Sequence, residues 1–245
     1  MIKVEVCINC DNEQGVRDSV GAALQGGAST VELCSAMHLD GLTPEREHIR
    51  EARESFQSKN GLMVMIRPRS GNFYYSGEEL QLMQRQIKTA AEQHADGVVF
   101  GVLRKKDNSL DVDSLNMLME TSRKYNLKVT FHRAFDASPD PLEILELVIN
   151  AGVDRILTSG TSWNVKKPVI EGISTVKKII ERAQGRIVIV IGGGINIDNV
   201  EKIITRLPLE YNNISVHAYS GVQENGFTTV NAVTSLVKSI EKIGS

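Results

Sequence analysis

The chain has almost no excess of charge of either sign. It contains 28 Lys and Arg residues against 30 Asp and Glu residues, which gives a formal net charge of -2. No basic stripe runs along it, and a short cationic run such as Arg104–Lys106 is typical of a solvated loop. We therefore do not expect nucleic acid as a partner.

Long apolar runs and a cysteine framework are also missing. No run reaches the length of a membrane span, and the first residues, MIKVEVC, lack the apolar segment of a signal peptide. Three cysteines, an odd number, do not suggest a disulfide framework. We expect no membrane contact and a location in the reducing cytoplasm.

Short β-rich runs alternate with amphipathic segments from end to end. The predicted strands are Lys3–Cys7, Thr30–Cys34, Leu62–Arg67, Gly97–Gly101, Lys128–His132, Arg155–Thr158, Ile187–Ile191 and Ile214–His217. Between them apolar residues recur at helical spacing, as in Leu80, Met83 and Ile87. This alternation predicts parallel strands with right-handed crossovers. Eight such units without a composition break favour one α/β domain over residues 1–245, a (β/α)8 TIM barrel, over an open doubly wound sheet.

Three helix starts are also predicted. We expect a helix from Asp11 after the first strand and another from about Asn196 after the seventh. Pro44 suits the first turn of a helix within the charged segment Thr43–Ser55.

Strand parity points to a polar cluster inside the barrel. If Val4 and Val6 face the helices, Glu5 and Cys7 face the interior. The same rule places further polar side chains inside, near the C-terminal strand ends: Glu32, Cys34, Arg67, Thr130, His132, Ser215 and His217. Barrel interiors are usually filled by branched apolar residues, and buried charges are costly unless they pair. Either the glutamates neutralise arginines structurally, or this rim is a functional site.

Six short motifs resemble the copper homeostasis protein CutC family. They are VELC (Val31–Cys34), GLTP (Gly41–Pro44), MIRPR (Met65–Arg69), FHRAFD (Phe131–Asp136), LTSG (Leu157–Gly160) and GGGI (Gly192–Ile195). The resemblance runs from Val4 to about His217, and it implies a TIM barrel and cytosolic copper handling. It also implies a homo-oligomer, with a dimer favoured, and matches Cys7 and Cys34 to cysteines proposed to hold Cu(I).

The chain departs from the family pattern in two places. RPRSGNF stands where the family usually has RPRGGDF, so Ser70 and Asn72 replace a glycine and an aspartate. The segment after His217 is shorter than the family ending, so a role for the last loop is not transferred.

The residues themselves support a Cu(I) site as a first hypothesis. Soft thiolates select Cu(I), and Cys7 and Cys34 end two strands expected to be neighbours about 4.8 Å apart. Met63 and Met65 share the parity of Arg67 and either add thioether sulfur or pack the core. The alternative is a pair of buried, inert thiols. Cys10 completes a C-x-x-C with Cys7, for which a redox or third-ligand role is a further alternative.

A second hypothesis is an enzyme, a lyase, isomerase or hydrolase, that acts on a small phosphorylated or carboxylated substrate. Its candidate acid–base residues are Glu5, Glu32, His132, His217 and Asp136. Its candidate substrate-binding residues are Arg67, Arg69, Arg133, Ser159, Gly160, Gly192, Gly193 and Gly194. Arginines offer bidentate contacts to an anion, and a glycine turn before a helix offers bare N–H groups. A tight turn needed for packing explains the glycines equally well.

Overall fold

A computed structural model describes residues 2–211 and 213–243, and its centre is a closed barrel of eight parallel strands. Each strand pairs with the next along the chain, and the eighth pairs with the first. The strands are β1 (Lys3–Asn9), β2 (Thr30–Cys34), β3 (Leu62–Met65), β4 (Gly97–Phe100), β5 (Lys128–Phe131), β6 (Arg155–Thr158), β7 (Val188–Ile191) and β8 (Ile214–Ala218). The predicted (β/α)8 TIM barrel is confirmed.

An α-helix follows each strand and covers the outside of the barrel. The helices are α1 (Val16–Gln25), α2 (Arg46–Phe56), α3 (Gly77–Glu92), α4 (Val112–Lys124), α5 (Pro141–Asn150), α6 (Val169–Ala183), α7 (Val200–Ile204) and α8 (Val230–Ile243). Local sequence explains several of their starts. Ser76 and Glu79 form a capping box at α3, and Asp140 caps α5 ahead of Pro141.

Three predicted helix starts are wrong. The first helix begins at Val16 rather than at Asp11, because Gly15 with a φ of 77° ends the preceding turn. Pro44 precedes α2 instead of lying in its first turn, since Glu45 is the N-cap. The seventh helix begins at Val200, because Asn196 and Asn199 close a polar turn through their side chains. That helix has only five residues.

The apolar side chains divide into an outer layer and a small inner cluster. Val4, Val6 and their counterparts on the other strands pack against the helices, as the parity rule predicted. A separate apolar cluster fills the inside of the barrel near its C-terminal end: Cys7, Cys34, Met63, Met65 and Val99. Four of the inward-facing residues of β1 to β3 therefore carry sulfur, where most barrels have branched hydrocarbon.

The loops after the strands form the rim at the C-terminal end. A short 3-10 turn, Met37–Leu39, follows β2, and another, Trp163–Val165, follows β6. A small hairpin, β9 (Gln223–Glu224) and β10 (Phe227–Thr228), precedes α8. None of the described helices is both long and apolar enough to cross a bilayer.

Candidate functional site

A cavity of about 180 Å³ opens at the C-terminal end of the barrel. Inward-facing side chains from β1, β2, β3, β6 and β8 form its floor and walls, and the loops after β2, β3, β5 and β6 form its rim. Glu32, His132, His217, Arg67 and Arg133 all line it. Most of the polar residues that parity placed inside the barrel thus meet around one space, whereas Glu5, Thr130 and Ser215 are absent from its lining.

Four sulfur side chains occupy the side of the cavity formed by β1 to β3. Cys7, Cys34 and Met65 point inward from the strands, and Met37 comes down from the loop after β2. The Cys7 Sγ lies 3.9 Å from the Met37 Sδ. Met37 was not predicted, because loop residues carry no parity. Met63 fills the layer beneath, against Gly97.

The strand register differs from the expected one. Cys7 lies inside β1 and pairs with Glu32, whereas Cys34 pairs with Asn9. The two cysteines are therefore offset along the strands, but both face inward. Their sulfurs and a Glu32 oxygen all lie within 4.8 Å of one another. The Cys34 thiol donates to the Glu32 Oε1 at 3.4 Å.

The two thiols have opposite acidities. The adjacent Cys34 side chain, helped by His217, outweighs burial and lowers the pKa of Cys7 to about 6. The proximity of Cys7, together with burial, raises the pKa of Cys34 well above 9.0. These shifts favour ionisation of Cys7 over Cys34, and the thiolate is the form of cysteine that reacts as a nucleophile or metal ligand.

Cys10 does not belong to this pair. It packs in the outer core, on the opposite side of the strand from Cys7. Burial and the nearby carboxylate of Asp11 raise its pKa far above 9.0. A thiolate on Cys10, which a redox or ligand role would need, is therefore disfavoured, and α1 begins five residues later than predicted.

Glu5 lies below the cavity in a buried ion-pair cluster. Its carboxylate accepts from Arg155 at 2.7 Å, from His217 at 2.9 Å and from Thr30 at 3.0 Å. Burial opposes ionisation of Glu5, but the charge of Arg155 prevails and lowers its pKa to about 2. Sequence reasoning missed Arg155, although it has the inward parity of β6. Glu5 therefore holds His217 in position and does not itself line the cavity.

Glu32 and His217 connect this cluster to the cavity. Burial raises the pKa of Glu32 to about 8, and its Oε2 has no hydrogen-bond partner among the described residues. Burial opposes protonation of His217, but hydrogen bonds with Cys7 and Glu5 raise its pKa well above 6.5. A neutral carboxyl group and a charged imidazole therefore face the thiols at neutral pH.

His132 forms the opposite wall. Its Nδ1 accepts the backbone N–H of Ala134 at 3.1 Å, on the edge that faces Gly101. The remaining nitrogen, Nε2, is buried and has no partner within the described chain. Burial, followed by the charge of Arg67, lowers the pKa of His132 to about 3. The imidazole is thus neutral with its proton on Nε2.

Arg67 and Arg69 have different surroundings. Arg67 is buried, and its Nη atoms donate to the carbonyl groups of Leu39, Asp40, Gly41 and Gly71. It lines the cavity as predicted. Arg69 instead pairs with Glu79 at 2.5 Å and donates to the carbonyl of Tyr74. It holds the loop after β3 in place and is absent from the cavity lining.

Asp136 and Ser159 position Arg133 at the rim. Asp136 accepts from Arg133 Nε at 2.8 Å and from the Ser159 N–H and hydroxyl, both at 3.0 Å. The Ser159 hydroxyl also accepts from Arg133 Nη2 at 2.7 Å. The guanidinium stacks on Trp163, at 5.2 Å from the ring centroid. Asp136 and Ser159 therefore act through Arg133, which lines the cavity itself.

The glycine turn after β7 borders a second groove. Gly193 and Gly194 line this groove of about 290 Å³ together with Arg133, Lys166 and Lys167. Gly192 and Gly160 serve packing, since a Cβ there would contact Leu157 at 3.0 Å and the Gly172 carbonyl at 2.4 Å, respectively. A helix N-terminus does not complete the predicted anion site, because α7 starts at Val200.

Comparison with known proteins identifies relatives over most of the chain. The sequence model of the CutC family matches residues 2–218. A CutC family protein of Vibrio campbellii is 40% identical over 202 residues, which are 82% of this chain and 76% of the relative. The human copper homeostasis protein cutC homolog is 39% identical over 201 residues, 82% of this chain and 68% of the relative.

Solved structures agree with the sequence comparison. A CutC structure from Streptococcus agalactiae has a TM-score of 0.76 and 32% identity, and covers 89% of this chain and 98% of its own. The tryptophan synthase α-subunit of Pyrococcus furiosus has a TM-score of 0.64 at 17% identity, over 97% of each chain. The second likeness shows the fold alone.

Proposed function

Since this chain belongs to the CutC family, we propose that it serves copper homeostasis by binding Cu(I) through Cys7 and Cys34. One observation carries the proposal: two sulfurs on neighbouring strands lie within 4.8 Å of each other at the floor of a cavity. The human relative is named for copper homeostasis. Cu(I) is the cargo of such a site rather than a fixed cofactor.

The chemistry of the donors fits Cu(I) better than a hard cation. Cu(I) favours thiolate and thioether ligands, while carboxylates favour Mg²⁺ or Ca²⁺. Met37 and Met65 surround the two thiols with further sulfur. The oxygen of Glu32 is the hard donor of the group, and we assign it a hydrogen bond to the ligating sulfur rather than a bond to the metal.

The state of the cysteines also supports a reducing compartment. All three are free thiols, and Cu(I) capture by Cys7 and Cys34 requires these two to stay reduced. We propose a cytoplasmic location on this ground. Self-association as a dimer follows from the family resemblance, and light scattering of the purified protein measures it.

Cu(I) titration of the reduced protein tests the proposal. We expect one tightly held Cu(I) per chain, measured by competition with a chromophoric Cu(I) chelator. Cys7→Ser and Cys34→Ser should each abolish that binding, because each removes one of two sulfurs. Cys10→Ser is the matched control and should bind as the wild type does. Unchanged binding in both cavity variants would contradict the assignment.

A second candidate is an enzyme that acts on a small anion in the same cavity. Three buried polar atoms at its wall have no partner among the described residues: Glu32 Oε2, Arg67 Nε and His132 Nε2. Buried polar atoms are normally hydrogen-bonded, and exceptions are common at sites that receive a ligand. A screen of small carboxylates and phosphate esters for turnover tests this candidate, with Glu32→Gln expected to abolish any activity found.

A further inference from the structure

Arg67 is a buried cation without an acidic partner. It is 1% exposed, and the part of the chain that the structure describes offers it no carboxylate within 4.0 Å. Its Nη atoms donate to four neutral carbonyl oxygens, and the uncharged hydroxyl of Tyr75 lies close to the guanidinium. Since an uncompensated charge is costly to bury, the surroundings of Arg67 lack one negative charge.

Two N–H groups next to this charge have no acceptor. Arg67 Nε and His132 Nε2 are both buried and unpartnered within residues 2–211 and 213–243. His132 is 4% exposed, and both side chains line the cavity. Because the Nδ1 edge of His132 faces Ala134 and Gly101, its Nε2 lies on the other edge of the ring.

Both side chains pack against Phe73. The Arg67 guanidinium lies 5.3 Å from the centroid of the Phe73 ring, and the His132 ring centroid lies 5.0 Å from it. The two donors belong to the part of the cavity wall that the loops after β3 and β5 form, whereas the two cysteines lie on β1 and β2.

We propose that this wall binds a small organic monocarboxylate, whose oxygens accept the Arg67 Nε–H and the His132 Nε2–H. One negative charge balances the one uncompensated cation, whereas a phosphate dianion would leave a second charge buried. Arg133 at the rim adds a donor without net charge, since Asp136 already neutralises it. The proposal names the substrate class of the second candidate function, and it requires neither copper nor turnover.

Glycolate binding to the metal-free protein, followed by calorimetry and by the ¹⁵N signal of His132 Nε2, tests the proposal. The decisive variant is His132→Asn, whose amide oxygen can still accept the Ala134 N–H but which has no donor at the Nε2 position. A hydrogen bond to a charged group is lost, so binding should weaken by about tenfold or more. Arg67→Lys keeps the charge but removes the Nε donor, and should weaken binding as well.

The matched control is His94→Asn. His94 is exposed and has a φ of 59°, a conformation that asparagine tolerates. It should bind glycolate like the wild type. Glycolate is titrated into the metal-free protein and Cu(I) in a separate experiment, so a failed copper titration and a failed carboxylate titration would be distinguishable.

Three results would overturn the inference. One is the absence of saturable binding of glycolate, acetate and pyruvate to the wild type. Another is equal affinity in the wild type and in a folded His132→Asn variant. A third is tighter binding of inorganic phosphate than of the carboxylates, because the ligand of these donors would then be a phosphate group and not a monocarboxylate.

Discussion

The pH dependence of stability should reveal the buried neutral His132. Its pKa falls from 6.5 to about 3 in the folded protein because of burial and of the nearby Arg67 charge. Between pH 6.5 and about pH 3 the unfolded chain binds a proton on this imidazole that the folded chain does not bind. The free energy of unfolding is therefore highest, as far as His132 is concerned, above pH 6.5, and it decreases as the pH falls below that value. Each pH unit below 6.5 lowers the free energy of unfolding by about 1.36 kcal/mol, so at about pH 4.5 the decrease reaches about 2.5 kcal/mol.

Urea unfolding of the wild type and of His132→Asn from neutral pH to about pH 4.5 measures this contribution. At neutral pH the variant should have a lower free energy of unfolding than the wild type. On acidification to about pH 4.5 its free energy of unfolding should decrease by about 2.5 kcal/mol less than that of the wild type, because asparagine does not titrate. His94→Asn should follow the wild-type pH profile. Parallel profiles for the wild type and His132→Asn would refute the assignment of a buried, neutral imidazole.

Two substitutions test the packing that supports the cavity. Glu5→Gln leaves Arg155 and His217 buried without their shared carboxylate, and should lower the free energy of unfolding by about 3–5 kcal/mol. Urea titration measures this decrease. The control is Glu146→Gln, because Glu146 pairs with the exposed Arg182 and Arg186. A decrease for Glu5→Gln no larger than the decrease for Glu146→Gln would contradict the expectation. Gly101→Ala places a Cβ 2.5 Å from His132 Nδ1, and should cost about 1–3 kcal/mol and weaken glycolate binding. Gly77→Ala, where a Cβ meets nothing within 4 Å, should show neither effect.

The barrel was predictable because two short-range rules repeat eight times along the chain. Alternation of Val and Ile with polar residues places Glu5 and Cys7 inside, and the apolar spacing of helices such as α3 covers the outside. Helix starts were less predictable. The polar turn at Asn196 resembles a helix start in sequence, but its side-chain hydrogen bonds end before α7 begins.

The candidate site was predictable only on the strands. Parity brings Glu32, Cys34 and His132 to the interior, but it says nothing of Met37, whose loop conformation decides its position. Sequence also does not show the partners of a charge. Arg69 pairs with Glu79 on the first turn of α3, whereas Arg67 in the same motif donates to backbone carbonyl groups.

Copper X-ray absorption of the reduced protein loaded with one equivalent of Cu(I) is the most direct test of the proposed metal site. Cys7 and Cys34 as ligands predict a first coordination shell made of sulfur alone, and the same spectrum for Cys10→Ser. A shell that contains nitrogen or oxygen ligands, or one that persists in the Cys7→Ser, Cys34→Ser double variant, would contradict a Cu(I) site at this cavity.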